Sequence, residues 1–285
     1  MNKKVIDHIA LKNLIDYTAL ENLIYSAGDL LRDFWNKRAD LKIDYKKGQG
    51  LVSEADKNVE NFLIDGLKKI LPEAKFCAEE NSFIQNYDES ELMSGYSWMI
   101  DPLDGTSNFL SGFDYFSISV ALCFNGMPIV GIVYRPVRGD FFSARKGEGA
   151  FYENKDVGKD RALISRDLDR PGRLKDSLLC TGFAGEKGAK FDQEFEVFKK
   201  MMMASRGVRR LGSAALDLCY LARGSWHGFW EKGLAPWDVA AGGLICLESG
   251  LSVFNLDDET FSPFHQSIIA CSANIKVDLL TRLKG

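Results

Sequence analysis

From residue 14 to about 35 the apolar positions Leu14, Tyr17, Leu20, Leu23, Ile24, Ala27, Leu30, Leu31 and Phe34 recur every three or four residues. That is the spacing of one helix face, so a long amphipathic helix is predicted there. A second such face, Val59, Phe62, Leu63, Leu67 and Ile70, predicts a helix over 56–70, and Pro72 stops it because proline has no N–H to continue the ladder. The rhythm then shortens. β-type runs occupy 75–77, 97–100 and 116–124, the last leading into Asn125-Gly126, a pair suited to the positive φ angles of a tight hairpin. Residues 127–134 form the expected hairpin partner, and 141–144 and 150–152 extend an antiparallel sheet across the glycine-containing turn at 146–149.

Beyond residue 155 strands (177–180, 207–210, 227–230) alternate with helices (about 191–204, 213–222, 237–248), the pattern of an α/β layer. The fold expected is α/β (α+β): an antiparallel-sheet half, residues 1–154, carrying most candidate ligands, and an α/β half, 155–285, completing the site. No Pro/Gly/Ser linker, internal repeat or low-complexity tract separates them, so a single body with a cleft between the halves is expected.

At 285 residues the chain is long enough for a substantial core, since single cores stop growing near ~250–300 residues. A formal charge of −4 argues against a general nucleic-acid binder, which would carry a net basic face. An anionic ligand would need local positive charge, and a divalent cation held by clustered carboxylates is the simplest source. The 6 cysteines are scattered without a CxxC pair, so neither a disulfide framework nor a zinc site is expected. No apolar run reaches signal-peptide or membrane-spanning length, and a cytoplasmic protein with reduced thiols fits best. His8, His227 and His265 pair with no cysteine or serine in the pattern, which sets histidine catalysis aside. Met201-Met202-Met203 reads as core filling at a helix end, and Trp226 and Trp230 as packing between layers.

The densest chemistry lies in Trp98-Met99-Ile100-Asp101-Pro102-Leu103-Asp104-Gly105-Thr106. Across a proline-constrained turn, Asp101 and Asp104 can both enter one site with the Leu103 carbonyl between them, and hard oxygen ligands suit Mg²⁺. Gly105 permits close backbone approach, and Thr106 can cap a following helix whose N–H groups would face a phosphate. DPxDG serves equally well as an Asx turn with a capping aspartate. Ala78-Glu79-Glu80 ends a strand, so pleating sends only one of its carboxylates to any one face; a solvated acidic loop is the alternative. Asp238, in Pro236-Trp237-Asp238, lies in the first turn of a small-residue-rich helix, where it would also favour the helix dipole.

Together these segments resemble the inositol monophosphatase family, within the lithium-sensitive, Mg²⁺-dependent phosphatases, over nearly the whole chain. The pieces that carry the resemblance are Ala78-Glu79-Glu80, Asp101-Pro102-Leu103-Asp104-Gly105-Thr106, Trp237-Asp238-Val239-Ala240-Ala241-Gly242 and Glu248-Ser249-Gly250. The resemblance implies a layered αβαβα sandwich, a homodimer, and a cofactor of about two to three Mg²⁺ ions on Glu79, Asp101, the Leu103 carbonyl, Asp104 and Asp238. It implies that Asp56 pairs with Thr106 to orient the attacking water, making Asp56, Glu79 and Thr106 the catalytic set. Substrate contacts are implied at Asp104, Gly105, Thr106, Gly212, Ser213, Glu231 and Asp238. Arg209 and Arg210 precede the Gly212 turn, and Arg209 is placed among the substrate contacts, a surface or subunit-contact role for the pair being the alternative. Ser213 would serve as well as a helix cap, and Glu231 as a loop residue. A small phosphorylated polyol, first inositol 1-phosphate, is the implied substrate. Fructose 1,6-bisphosphate, 3′-phosphoadenosine 5′-phosphate and a regulatory role on the same scaffold are the alternatives. Departures from the family pattern at Asn81-Ser82 and over 110–114 bear on substrate choice, because that loop neighbours the site in the family.

Overall fold

The structure, a computed structural model, describes residues 14–46, 50–80, 89–164, 171–183 and 189–284. His8, Asn81 and Ser82 lie outside these residues.

Helix α1 spans Tyr17–Asn36 behind the N-cap Asp16, whose carboxylate accepts the Ala19 N–H. Helix α2, Glu54–Ile70, opens with a reciprocal cap, because the Asp56 carboxylate accepts the Ser53 N–H at 2.8 Å while Ser53 accepts from the first turn. Leu20, Ile24, Ala27 and Leu31 of α1 pack with Ala55, Val59, Leu63 and Leu67 of α2 over one face of a large sheet. Phe62, expected on the buried face, is 39% exposed, since the face actually buried follows the i, i+4 line through Val59, Leu63 and Leu67.

That sheet has seven strands in simple chain order: β3 (Lys75–Ala78), β4 (Tyr96–Asp104), β5 (Ser117–Phe124), β6 (Met127–Arg135), β7 (Asp140–Arg145), β8 (Gly149–Asn154) and β9 (Lys159–Leu163). Only β3–β4 is parallel; the other pairs are antiparallel. Asn125 and Gly126 join β5 to β6 with φ of 50° and 75°, as the hairpin signal requires. The sheet runs on past residue 154 into β9. A short antiparallel hairpin, β1 (Ile43–Lys46) with β2 (Gly50–Ser53), precedes α2 and left no periodic signal in the sequence.

The second sheet, five strands in the order β11-β10-β12-β14-β13, is mixed. Its strands are β10 (Leu178–Thr181), β11 (Gly207–Arg209), β12 (Gly228–Lys232), β13 (Ser252–Phe254) and β14 (Ser267–Cys271). β10 is parallel to both β11 and β12, and β14 runs antiparallel to β12 and β13. Helix α3 is Thr106–Ser111, α4 Ala189–Ala204, α5 Ala214–Ala222, α6 Pro236–Glu248 and α7 Lys276–Lys284.

Helices α5 and α6 are apolar almost all round because they are buried between the two sheets. Gly131 in β6 permits this contact: a Cβ there would meet the Ala241 carbonyl oxygen of α6 at 2.9 Å. Helices α4 and α7 close the outer face of the five-stranded sheet around Leu179, Met201, Ile269 and Leu279. The layers are therefore αβαβα, as expected. Of the three adjacent methionines only Met201 is core; Met202 and Met203 are 42% and 86% exposed, because α4 buries a single stripe. Trp226 and Trp230 are buried between layers, and the six cysteines are all buried and free.

Candidate active site

In a regular strand residues three apart point to opposite faces. β4 avoids this with a bulge: Asp101 pairs with Ser119 and Asp104 with Ser117, three steps on one strand against two on the other. The extra residue in Pro102-Leu103 returns both carboxylates to one face, and Pro102, lacking an N–H, has no ladder bond to lose. The sequence suggested a turn here; the strand instead continues to Asp104. Asp101 Oδ1 accepts the Leu103 N–H at 2.9 Å. Gly105 follows with φ 98°, where a Cβ would crowd the Tyr115 and Gly212 carbonyl oxygens at 3.0 and 3.2 Å. Glycine is required there on both counts.

Asp104 reaches across to the other half of the molecule. Its Oδ2 accepts the Ser213 hydroxyl at 2.6 Å and the Ala215 N–H at 2.8 Å, at the N-terminus of α5. Ser213 thus caps α5 and also fixes a candidate metal ligand. Despite these bonds, burial pushes the Asp104 carboxyl up to about 6. Asp238, in the first turn of α6, accepts the Ala235 N–H at 2.7 Å. Burial, and then the charge of Asp104, push Asp238 up to about 7. Glu79 stands directly after β3, and burial followed by Asp238, Asp56 and Glu80 raises it well above the usual carboxylate range. Asp101 is raised well above that range by burial, Glu79, Asp104 and Asp238 in turn.

Glu79, Asp101, Asp104 and Asp238 line one cavity of about 210 Å³, with Leu103, Gly105, Thr106 and Arg210 around them. Among the described residues no three acidic, histidine or cysteine side chains are already closed into an ion cage. What the cavity supplies is a set of oxygen donors whose ionisation is opposed by burial and by one another. A hard divalent cation removes that opposition, so the donor set fits Mg²⁺. Glu80, the alternate residue, is buried away from the cavity, and its N–H donates to Glu60 at 2.7 Å.

Thr106 Oγ1 lies 3.0 Å from Asp56 Oδ1 and 3.1 Å from the Leu103 carbonyl. The other Asp56 oxygen takes the Ser53 hydroxyl at 2.6 Å as well as the Ser53 N–H. Asp56 is therefore held behind the cavity, and burial raises it to about 6.

Both arginines are exposed, but Arg210 lines the cavity and Arg209 does not, so Arg210 rather than Arg209 stands beside the candidate site. Arg209 ends β11 and Arg210 follows it, and adjacent residues of an extended chain do not share a face. A second cavity of about 160 Å³ adjoins the first, lined by Gly182, Arg210, Ser213, Asp217 and Glu231 beside Asp104 and Asp238. Burial lifts Glu231 well above the usual range, with Asp217, Asp238 and Asp104 adding and Arg210 opposing. Asp217 was not anticipated. It is buried, accepts the Tyr115 hydroxyl at 2.8 Å, and is raised by burial to about 8. Its signal in the sequence was a lone acid inside the apolar run Ala214-Ala215-Leu216-Asp217-Leu218-Cys219. His227 accepts the Leu178 N–H and His265 lies beside Glu259, both away from the two cavities.

Comparison with known proteins agrees with this arrangement. The model of the inositol monophosphatase family matches residues 14–283. An inositol-1-monophosphatase of Mesorhizobium japonicum is 35% identical over 258 residues, covering 90% of each chain. A Nus factor SuhB of Pasteurella multocida is 33% identical over 260 residues, 90% of this chain and 91% of that protein. The inositol monophosphate-bound structure of SaIMPase-II from Staphylococcus aureus superposes with a TM-score of 0.75 at 25% identity, covering 94% of each chain. A match spanning nearly every described element, on a chain whose acidic motifs meet at the junction of its two sheets, establishes that this protein belongs to the inositol monophosphatase family.

Proposed function

We propose that this cleft hydrolyses the phosphate monoester of a small polyol, with inositol 1-phosphate the first candidate. The reading rests on one observation: carboxylates from the end of β3, the β4 bulge and the first turn of α6 face a common cavity. Glu79, Asp101, the Leu103 carbonyl, Asp104 and Asp238 would hold Mg²⁺. When bound, the metal would lower the pKa of an attacking water and stabilise the leaving oxygen.

The chain's own residues do the rest. Thr106, hydrogen-bonded to Asp56, presents its hydroxyl to orient the water. Gly105 offers no side chain against an approaching phosphate. Arg210 supplies positive charge at the join of the two cavities, and Ser213 and Glu231 line the chamber where the alcohol part of the ester would lie. Carboxylates accept hydrogen bonds from hydroxyls, so a polyol suits that chamber better than an apolar alcohol.

Phosphate release from inositol 1-phosphate, with and without Mg²⁺, tests the reading. Wild type should be active only with the metal, and Asp101→Asn should lose activity by more than roughly a hundredfold while melting normally. Near-normal turnover by Asp101→Asn would remove the assignment. Fructose 1,6-bisphosphate, histidinol phosphate and 3′-phosphoadenosine 5′-phosphate in the same assay define the substrate. A regulatory role is the second reading, favoured by relatives that carry the name Nus factor. It predicts no Mg²⁺-dependent phosphate release from any of these esters. A homodimer belongs to the same proposal and is tested by light scattering.

A further inference from the structure

We infer that Gly182 is a specificity-determining position: by having no side chain it leaves the space in which the Glu231 carboxylate lies, and so aims that carboxylate into the chamber beside the phosphate cleft. The inference rests on the reading of that chamber as the polyol site.

Strands β10 and β12 run parallel, with Thr181 paired to Trp230, and the Thr181 hydroxyl donates to the Trp230 carbonyl at 2.6 Å. Gly182 and Glu231 are the next residues along, side by side. A Cβ built on Gly182 would lie 2.0 Å from Glu231 Oε1, 2.2 Å from its Cδ and 2.3 Å from Oε2. Something must shift at such distances, and because the three nearest atoms are all at the free end of this one flexible side chain, it is the carboxylate that moves. Gly182 is absent from the glycines with positive φ, so its backbone does not itself demand glycine. The requirement comes from the carboxylate next door.

Displacement of that carboxylate has two directions, because Gly182 and Glu231 line two cavities together. On one side is the chamber, where Asp104, Asp217 and Asp238 repel a carboxylate pushed inward. On the other is a small pocket walled mainly by apolar groups, among them Phe183, Val197, Leu256 and Leu283, with Glu194 and Lys232 also on its lining, where a carboxylate loses part of its hydration. Either movement takes Glu231 from its place opposite a ligand hydroxyl. The position therefore selects for a polyhydroxylated leaving group without touching the phosphate.

The test is a double-mutant cycle on Gly182→Ala and Glu231→Ala, measuring kcat/KM in Mg²⁺ for inositol 1-phosphate and for p-nitrophenyl phosphate, whose leaving group has no hydroxyl for Glu231. Gly182→Ala should lower the ratio of the two specificity constants by roughly tenfold to a hundredfold, the range for a lost hydrogen bond to a charged group, mainly through KM. Glu231→Ala should do the same, and the double variant should be no worse than Glu231→Ala alone. A ratio within about twofold of wild type, or effects that multiply in the double variant, would overturn the inference. Should Gly182→Ala fail to fold, recovery of folding in the double variant supports the inference, and no recovery overturns it. Wild type inactive on inositol 1-phosphate defeats the functional reading and this inference together, whereas active wild type with an unchanged ratio defeats the inference alone.

Discussion

With divalent cations chelated, the stability of this protein should fall as the pH rises from about 5 to 8, and Mg²⁺ should remove most of that slope. In the folded chain Asp56 and Asp104 are raised to about 6, Asp238 to about 7 and Asp217 to about 8. The unfolded chain releases these protons near ~3.9, so between that value and the raised one the folded state binds more protons. The stabilisation is complete below the unfolded value and is lost as the pH climbs through the folded one. Asp238 alone, at ~1.4 kcal/mol per pH unit well below its folded value and about half that on reaching it, implies a loss of about 2 kcal/mol between pH 5 and 7. The neighbouring carboxylates are coupled to it and do not simply add, but they act with the same sign. At ~2–4 °C per kcal/mol, the melting temperature should drop by roughly 4–8 °C over that interval. Mg²⁺ binds the ionised carboxylates, so its stabilisation grows with pH and its binding releases protons. Melting curves at pH 5 to 8 in EDTA and in Mg²⁺, at constant ionic strength, check the slope, and proton release into a weak buffer checks the linkage. Chelated protein that is equally stable at pH 5 and pH 8, or more stable at pH 8, would refute the claim that these buried acids crowd one another.

Ser213→Ala removes the hydroxyl that donates to Asp104 at 2.6 Å and the N-cap of α5, and should cost about 2–4 kcal/mol in urea denaturation. Ser213→Thr should retain most of that stability; a loss under about 0.5 kcal/mol for the alanine would mean the bond is unimportant. Gly131→Ala drives a methyl to within 2.9 Å of the Ala241 carbonyl and should cost about 1–3 kcal/mol. Because α6 carries Asp238, the same change should raise the Mg²⁺ concentration needed for half-maximal activity, and an unchanged Mg²⁺ titration would break that link. Lithium chloride at tens of millimolar should inhibit hydrolysis at fixed Mg²⁺, as in the lithium-sensitive phosphatases that the motifs resemble; insensitivity counts against that kinship.

Long elements were legible because their signals repeat. Helices α1, α2 and α6 show several turns of periodicity or a clear cap, and Asn125-Gly126 specifies its hairpin through the φ angles it tolerates. The strands β9, β13 and β14 and the hairpin β1–β2 span only three to five residues each, too few for a period to emerge. They persist because neighbouring strands supply their hydrogen bonds. Helix α7 likewise has only Leu279 and Leu283 buried, a face too narrow to stand out.

In the site, Asp101 and Asp104 were visible because one segment carries both, and the ordered motifs placed Glu79, Asp56, Thr106 and Asp238 beside them. Local chemistry along the chain is enough to write the kinds of element, their order and the acidic residues on offer, since caps, turns and periodicity act within a few residues. Which groups meet depends on contacts between residues a hundred positions apart. The β4 bulge put both aspartates on one face, the start of α5 turned the Ser213 hydroxyl onto Asp104, and the chain leaving β11 set Arg210, not Arg209, on the cavity wall. The pairing of β10 with β12 set Gly182 beneath Glu231. Strand order and register are properties of the assembled sheets, and no spacing within a single segment encodes them.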